Sequence, residues 1–458
     1  MARPHRKRLV VVGGVAAGMS AASRARRRDP DMEIKVFEKS GYVSYGACGL
    51  PYFIAGLIDD HHNLITYTPD FFWQQRRIEV HTRCEVTEID LDAQQVTVWD
   101  HVEAREEKVS FDVLVLATGG SPVKPPLENV DLENVFTLRT VEDGMAIREH
   151  ARSGQSRRAV IFGAGYVGLE MAEAFSRLGL QVTVIEKMSW VLGSVDQEIS
   201  QLVEQELEKN RVELIKNEEV QGFEDDGSGR VCRVVTSKGV IETDMVLLAV
   251  GVEPNVALAR QAGIALGRTG AIKVNEYMAT SHALVWAAGD CAETYFRVLD
   301  EYDYIPFGTT ANKQGRVAGE NAAGGRSVFP GVVGTSTLKV FDLTVASTGI
   351  NEKRAEELGI PYVTSFIRSL SRASYYPGVQ PIFVKMVADA RNGRLLGAQM
   401  AGYEGIAKRI DVLATALHNS MTVEEISKLD LSYAPPFAPV WDPILIAASQ
   451  ASKEVGKA

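Results

Sequence analysis

Ala159-Val160-Ile161-Phe162-Gly163-Ala164-Gly165-Tyr166-Val167-Gly168 is the stretch that decides the fold. A short apolar run stops at a GxGxxG turn, and Leu169 to Leu178 continues with helical character. Gln181 to Ile185 reads as the next strand and ends at Glu186, 23 residues beyond Gly163. Strand, glycine turn, helix, strand and acid make a βαβ unit for a dinucleotide. The glycines let backbone N–H groups approach a pyrophosphate at the helix N-terminus, and the acid takes a ribose hydroxyl. Gly163, Gly165, Tyr166, Gly168 and Glu186 are the candidate contacts. A carboxylate at that strand end favours a 2′-hydroxyl over a 2′-phosphate, so NADH is expected ahead of NADPH. Lys187, next in the chain, softens that preference.

The pattern also opens the chain. Leu9 to Val12 is a predicted strand, Gly13-Gly14-Val15-Ala16-Ala17-Gly18 follows, Ala16 to Arg28 reads as a helix, and Ile34 to Phe37 as a strand ending at Glu38 and Lys39. Val15 stands where the second glycine would be. Three later apolar strands also end in glycine. Val113 to Leu116 runs into Ala117-Thr118-Gly119-Gly120, Met245 to Val250 runs into Gly251, and Leu284 to Ala288 runs into Gly289-Asp290. One intact nucleotide unit beside another split between Gly13–Gly18 and Gly289-Asp290 points to FAD plus a nicotinamide cofactor. The fold class is therefore α/β, with two Rossmann-like dinucleotide-binding domains and a C-terminal α+β domain. Residues 1–120 and 254–328 are expected to form the FAD-binding domain, 121–253 the NAD(P)H-binding domain, and 329–458 the third.

The chain has 458 residues, 49 Lys+Arg against 59 Asp+Glu, and a net charge of -10, which argues against a nucleic-acid binder. The basic Met1 to Arg8 lacks the apolar region of a signal peptide. Ser40 to Ile58 is the longest uncharged run, but its four Gly and one Pro make it a loop and not a membrane helix. Four well-separated cysteines, with no CxxC, suit a reducing compartment, so a cytoplasmic protein is expected. No metal site is expected: His61 and His62 are adjacent and read as surface residues without a third ligand.

Cys84, Cys232 and Cys291 read as inert thiols. Cys48 differs, because Ser44-Tyr45-Gly46-Ala47-Cys48-Gly49-Leu50-Pro51-Tyr52 follows the first βαβ unit closely. Pro51 suits a first helical turn, which places Cys48 at a helix N-terminus, where a thiolate is favoured. Phe53 stands where a resolving cysteine would be, so Cys48 must cycle through a sulfenate or a mixed disulfide.

With Gly13-Gly14-Val15-Ala16-Ala17-Gly18, Cys48-Gly49-Leu50-Pro51-Tyr52, Tyr375-Tyr376-Pro377-Gly378 and Tyr433-Ala434-Pro435-Pro436, the chain resembles the single-cysteine branch of the flavin-dependent pyridine nucleotide–disulfide oxidoreductases. It is most similar there to coenzyme A-disulfide reductases, and also to NADH-dependent persulfide reductases and NADH oxidases and peroxidases. The resemblance spans about Arg8 to Pro443, and Val15 is usual in the coenzyme A-disulfide branch. Ala16 stands where oxidases and peroxidases carry a histidine, which disfavours peroxide chemistry. Ala47 stands where the family has an asparagine, removing a hydrogen bond near the sulfur. No room is expected after Ala458 for the rhodanese domain that some persulfide reductases append.

The resemblance implies a cycle in which NADH, through FAD, reduces a mixed disulfide between Cys48 and coenzyme A. It places coenzyme A against Arg24, Arg27, Ser44, Cys48 and Arg76. It also implies a homodimer with shared active sites, in which Tyr375 and Tyr433 reach the partner's cysteine and protonate the leaving thiolate. Coenzyme A persulfide, polysulfide or oxygen remain as alternative acceptors, and a non-enzymatic flavoprotein switch as an alternative class.

Overall fold

A computed structural model describes residues 6–457; Met1–His5 of the basic N-terminus, and Ala458, lie outside the described residues. Three five-stranded sheets organise the chain. In the first, Val285–Ala287, Val113–Leu116, Arg8–Val12, Glu33–Glu38 and Glu79–Thr82 lie side by side, all parallel. In the second, also all parallel, the order is Glu213–Lys216, Gln181–Glu186, Arg158–Phe162, Met245–Leu248 and Val135–Thr137. The central strands are apolar throughout because helices cover both faces of such a sheet. Arg8–Val12 and Arg158–Phe162 are buried along almost their whole length.

The two parallel sheets are built alike. Each carries a three-stranded antiparallel insert ahead of the strand that flanks the glycine-turn strand on its other side, Cys84–Asp90 to Arg105–Ser110 before Val113–Leu116 and Val220–Asp225 to Val240–Glu242 before Met245–Leu248. The chain leaves the first sheet after Val113–Leu116 and returns to it at Val285–Ala287, so the second sheet is inserted within the first unit. Two short strands, Gly120–Pro122 and Val252–Pro254, pair antiparallel where the chain crosses out and back. The helix that follows the return, Gly308–Ala322, packs on Ala16–Arg28 at backbone contact: a Cβ on Gly319 would lie 2.0 Å from the Ala21 carbonyl oxygen.

The third sheet is antiparallel, ordered Ser336–Val340, Leu343–Gly349, Leu395–Gly402, Pro381–Asp389 and Tyr362–Leu370. Helices Ile406–His418 and Pro443–Glu454 pack on it. No helix among the described residues is long and apolar enough to cross a membrane.

One buried cation joins the third sheet to the second. Lys385, 1% exposed on Pro381–Asp389, meets Glu198 at 2.7 Å, Glu352 at 3.1 Å and Asp196 at 3.4 Å. Asp196 and Glu198 begin the helix Gln197–Lys209 of the second unit, and Gln399 of the third sheet bonds Asp196 twice, at 2.7 Å each. An ammonium this deep is held by its carboxylates, and they by it. Lys385→Met leaves three acids facing one another, and is expected to lower the free energy of unfolding in urea by about 3–5 kcal/mol.

Candidate active site

The two glycine turns show the same geometry. Glu38 accepts from the Gly14 N–H at 2.7 Å and the Ser40 N–H at 2.9 Å; Glu186 accepts from the Ala164 N–H at 2.8 Å and the Met188 N–H at 2.9 Å. Each carboxylate closes its turn yet keeps lone pairs for a ribose. Gly13 has φ +104°, and a Cβ there would lie 2.1 Å from the Ala117 carbonyl oxygen. Gly163 does the same against Ala249. At Gly165, by contrast, a Cβ would meet nothing within 4 Å, as expected where a ligand must approach the backbone.

Around the first turn, Gly18 packs on the Gly13 carbonyl, and Gly14 faces Glu38 and Val43. Ala17 lies beside Gly289, and Ala16 packs against the same core. Thr118 and Gly119 bond Asn255 across the chain crossing, Gly251 adopts φ +128°, and Lys39 is exposed beside Glu38. Asp290, at the end of Val285–Ala287, pairs with Arg139 at 2.6 Å. The Tyr304 hydroxyl is buried without a hydrogen-bond partner among the described residues, 3.2 Å from where a Cβ on Gly120 would stand. An unpartnered buried hydroxyl beside a closed glycine cradle fits a polar ligand such as FAD.

Cys48 lies in a 3₁₀ turn, Ala47–Gly49, that runs into the short helix Leu50–Ile54. Leu50, Phe53 and Ile54 are buried among residues of the second unit, so the cysteine loop of the first unit is seated on the second. The loop is also tied to the segment ahead of helix Pro69–Arg76: Gly46 N–H donates to Leu64, and Thr66 N–H to Ser44. Ser44 adopts φ +51°, a left-handed conformation held by these ties.

The expectation of a favoured thiolate is corrected here. Cys48 is exposed, but the protein crowding around its sulfur pushes the thiol up, the Glu170 carboxylate adds to that, and only then does Arg139 pull it down. Five residues of helix supply too small a dipole to win. Glu170 and Arg139 are both new to the site. Glu170 sits on helix Tyr166–Arg177, where burial raises its own carboxyl to about 7, and Tyr52 donates to it at 3.5 Å. Burial and the same carboxylate push the Tyr52 phenol up to about 12. Tyr166, in the second glycine turn, shares hydrogen bonds with Ser336 at 2.7 Å and Ser194 at 3.1 Å.

The arginines divide. Arg24, among the cations acting on Arg27, pairs with Glu320 at 2.6 Å while remaining 38% exposed. Arg76 donates to Ser23 at 2.6 Å and lies over the rings of Tyr67, Phe71 and Phe72. Arg27 has no acidic partner among the described residues, and partial burial, Arg76, Arg24 and Arg316 all hold its guanidinium below the ordinary range. Arg316, on Gly308–Ala322, is a third cation of this cluster that the sequence did not show.

Tyr375 and Tyr433 are brought together, hydroxyl to hydroxyl at 3.3 Å, across 58 residues of chain. Both are exposed, and Phe437, Val440 and Trp441 extend the same segment as exposed apolar side chains. Cys84 and Cys291 are buried and Cys232 is half-buried. His61 and His62 do have a third group beside them: Asp60 bonds His62 at 2.8 Å and lies 3.3 Å from His61. Asp60 also accepts the His62 backbone N–H, so it caps the 3₁₀ turn His61–Leu64.

Residues 7–315 match the family model described as "Pyridine nucleotide-disulphide oxidoreductase", and residues 335–443 match its dimerisation domain. An "NAD(P)H sulfur oxidoreductase (CoA-dependent)" of Pyrococcus abyssi is 43% identical over 97% of this chain and 98% of its own length. A "Coenzyme A disulfide reductase" of Staphylococcus haemolyticus is 33% identical over 94% of this chain and 96% of its own. Among solved structures, an NAD-dependent persulfide reductase from A. fulgidus superposes with a TM-score of 0.94 at 43% identity, over 98% of this chain and 83% of that one.

Glu170 carries a pH signature. Its carboxyl stays protonated in the folded chain up to about 7, whereas an ordinary glutamate loses its proton near 4.5. Between those values the unfolded chain binds fewer protons, so stability falls as pH rises through the window. Glu170→Gln is expected to remove that fall, on the order of 3 kcal/mol, in urea titrations compared at pH 4.5 and pH 7.5.

Proposed function

The chain belongs to the pyridine nucleotide-disulphide oxidoreductases, and we propose that within them it reduces coenzyme A disulfide with NAD(P)H through the single redox thiol Cys48. The observation that carries this reading is the cation cluster tied to the cysteine loop. Arg27, Arg76 and Arg316 gather without acidic partners among the described residues, and the Ser44–Thr66 and Gly46–Leu64 bonds join the Cys48 loop to the segment that ends in Arg76. Such a cluster suits the phosphates of coenzyme A, with the thiol end directed to Cys48. A coenzyme A persulfide is the second reading, favoured by the higher identity to the sulfur and persulfide reductases.

FAD bound at Gly13–Gly18, Glu38 and Asp290 would supply two-electron transfer between the nicotinamide and sulfur. The chain's own residues do the rest. The Cys48 thiolate attacks one sulfur of coenzyme A disulfide; a Cys48–coenzyme A disulfide forms and the second coenzyme A leaves as thiolate. Tyr433, bonded to Tyr375, gives that leaving sulfur its proton. Two electrons from NAD(P)H then cleave the mixed disulfide, releasing coenzyme A and restoring Cys48. The proton that Cys48 gives up on forming the thiolate goes to solvent, and Tyr433 regains from solvent the one it donates, so the exchange is proton-neutral. Glu186 makes NADH the expected reductant of the two, a preference that Lys187 beside it softens.

The tyrosine pair and its exposed apolar neighbours suit a two-fold interface, and each site would be completed by the partner's tyrosines. The test mixes two impaired chains, Cys48→Ser and the double variant Tyr375→Phe with Tyr433→Phe. Their heterodimer holds one intact site and is expected to recover about half of wild-type coenzyme A disulfide reduction, followed as NADH oxidation. A heterodimer no more active than its parents, while dimeric and flavin-loaded, contradicts sharing.

A further inference from the structure

The nicotinamide end of the proposal leaves one cation unexplained. Lys187 follows the ribose-binding Glu186 directly, where an ammonium would meet a 2′-phosphate and admit NADPH. It is not free to do so. Its Nζ lies 2.8 Å from a carboxylate oxygen of Glu219.

Glu219 is held in place by backbone. The loop after strand Glu213–Lys216 hooks onto both residues that flank Lys187: the Glu218 N–H donates to the Glu186 carbonyl and the Asn217 N–H to the Met188 carbonyl, each at 3.2 Å. On the far side, the Ser237 N–H donates to the Glu219 carbonyl at 2.9 Å, and the Glu219 N–H reaches the Ser237 hydroxyl at 3.3 Å. The neighbouring cation is occupied too. Lys238 lies 3.7 Å from Glu218, which also accepts the Thr236 hydroxyl. Lys216, opposite Glu186 in the strand register, is paired with Glu204 at 2.6 Å. Beside the ribose acid, therefore, all three lysines face a carboxylate, and the balance of charge is negative.

We propose that Glu219 is a specificity-determining residue: by holding the Lys187 ammonium away from the ribose, it keeps the second nucleotide site selective for the 2′-hydroxyl of NADH. The inference rests on the reading of that site as the nicotinamide site. The pair contributes little to the fold, because its side chains are 66% and 57% exposed and an ion pair so open to water is weak. For the same reason Lys187 can be released without disturbing the turn, whose own acid is fixed by the Ala164 and Met188 N–H groups.

The test measures dissociation constants of ADP-ribose and 2′-phospho-ADP-ribose by calorimetry on the flavin-loaded protein, with kcat/KM for NADH and NADPH alongside. In Glu219→Gln the 2′-phospho probe is expected to bind about threefold tighter or more, ADP-ribose binding to stay unchanged, and the NADPH gain to fall on KM and not kcat. In Lys187→Ala with Glu219→Gln the gain should vanish. The proposal is overturned if Glu219→Gln leaves the ratio of the two probes unchanged. It is equally overturned if the gain survives without Lys187, since Glu219 would then act by its own charge. Glu186→Ala separates the two levels of the argument: if it moves neither probe, the nicotinamide reading of the site falls, and if it relaxes the discrimination while Glu219→Gln does not, only the role of Glu219 falls.

Discussion

The structure depends on one closure made twice: a glutamate at the end of a strand accepting two backbone N–H groups from a glycine turn. Glu38 and Glu186 each bond the turn ahead of the helix and the residue two positions further along their own chain. The turn can come that close only because Gly13 and Gly163 lack a Cβ, and the backbone carbonyls behind them would not admit one. Strand order, helix position and the direction of the nucleotide follow from this, since a helix entered through such a turn leads with its unpaired N–H groups toward the ligand. The same closure is made in the first turn, where Val15 stands in place of a glycine.

The thiol is governed by packing between the halves. Cys48 belongs to the first unit by sequence but sits on the core of the second, through Leu50, Phe53 and Ile54. Its ionisation is opposed by the protein crowding around the exposed sulfur and by Glu170 of the second unit, and assisted by Arg139, which also pairs with Asp290. Of the other cysteines, Cys84 and Cys291 are buried and Cys232 is half-buried; the Cys291 sulfur lies 3.5 Å from the Leu116 carbonyl oxygen and 3.4 Å from that of Ala288. The third sheet, in the domain that carries the tyrosine pair, is joined to the second unit through Lys385 and its carboxylates.

Local features were legible in the sequence. The helix Ala16–Arg28 begins and ends where its glycine turn and its arginines say, and the parallel strands that were expected lie within two residues of their expected ends. The helix after the second turn starts three residues earlier than expected, at Tyr166, because Gly165 is already its cap. What the sequence could not show depends on long-range packing. Glu170, Arg139, Tyr304 and Arg316 reach the site from separate elements, and Arg24 pairs with Glu320, almost 300 residues away. A signal for Glu170 was present: it and Glu173 stand three apart in a helix otherwise rich in Met171, Ala172, Ala174 and Phe175, where solvated acids are not expected. The dipole argument for Cys48 failed because it assumed a longer helix than five residues.

The central claim is that Cys48 is the only thiol through which electrons leave the chain. Intact and peptide mass spectrometry without reductant, after adding one equivalent of coenzyme A disulfide per reduced chain, tests it most directly. The account predicts one coenzyme A in disulfide linkage on the peptide that contains Cys48, and its loss when NADH is added. A protein that turns over while Cys48 stays unmodified, or that carries the coenzyme A on Cys84, Cys232 or Cys291, contradicts it.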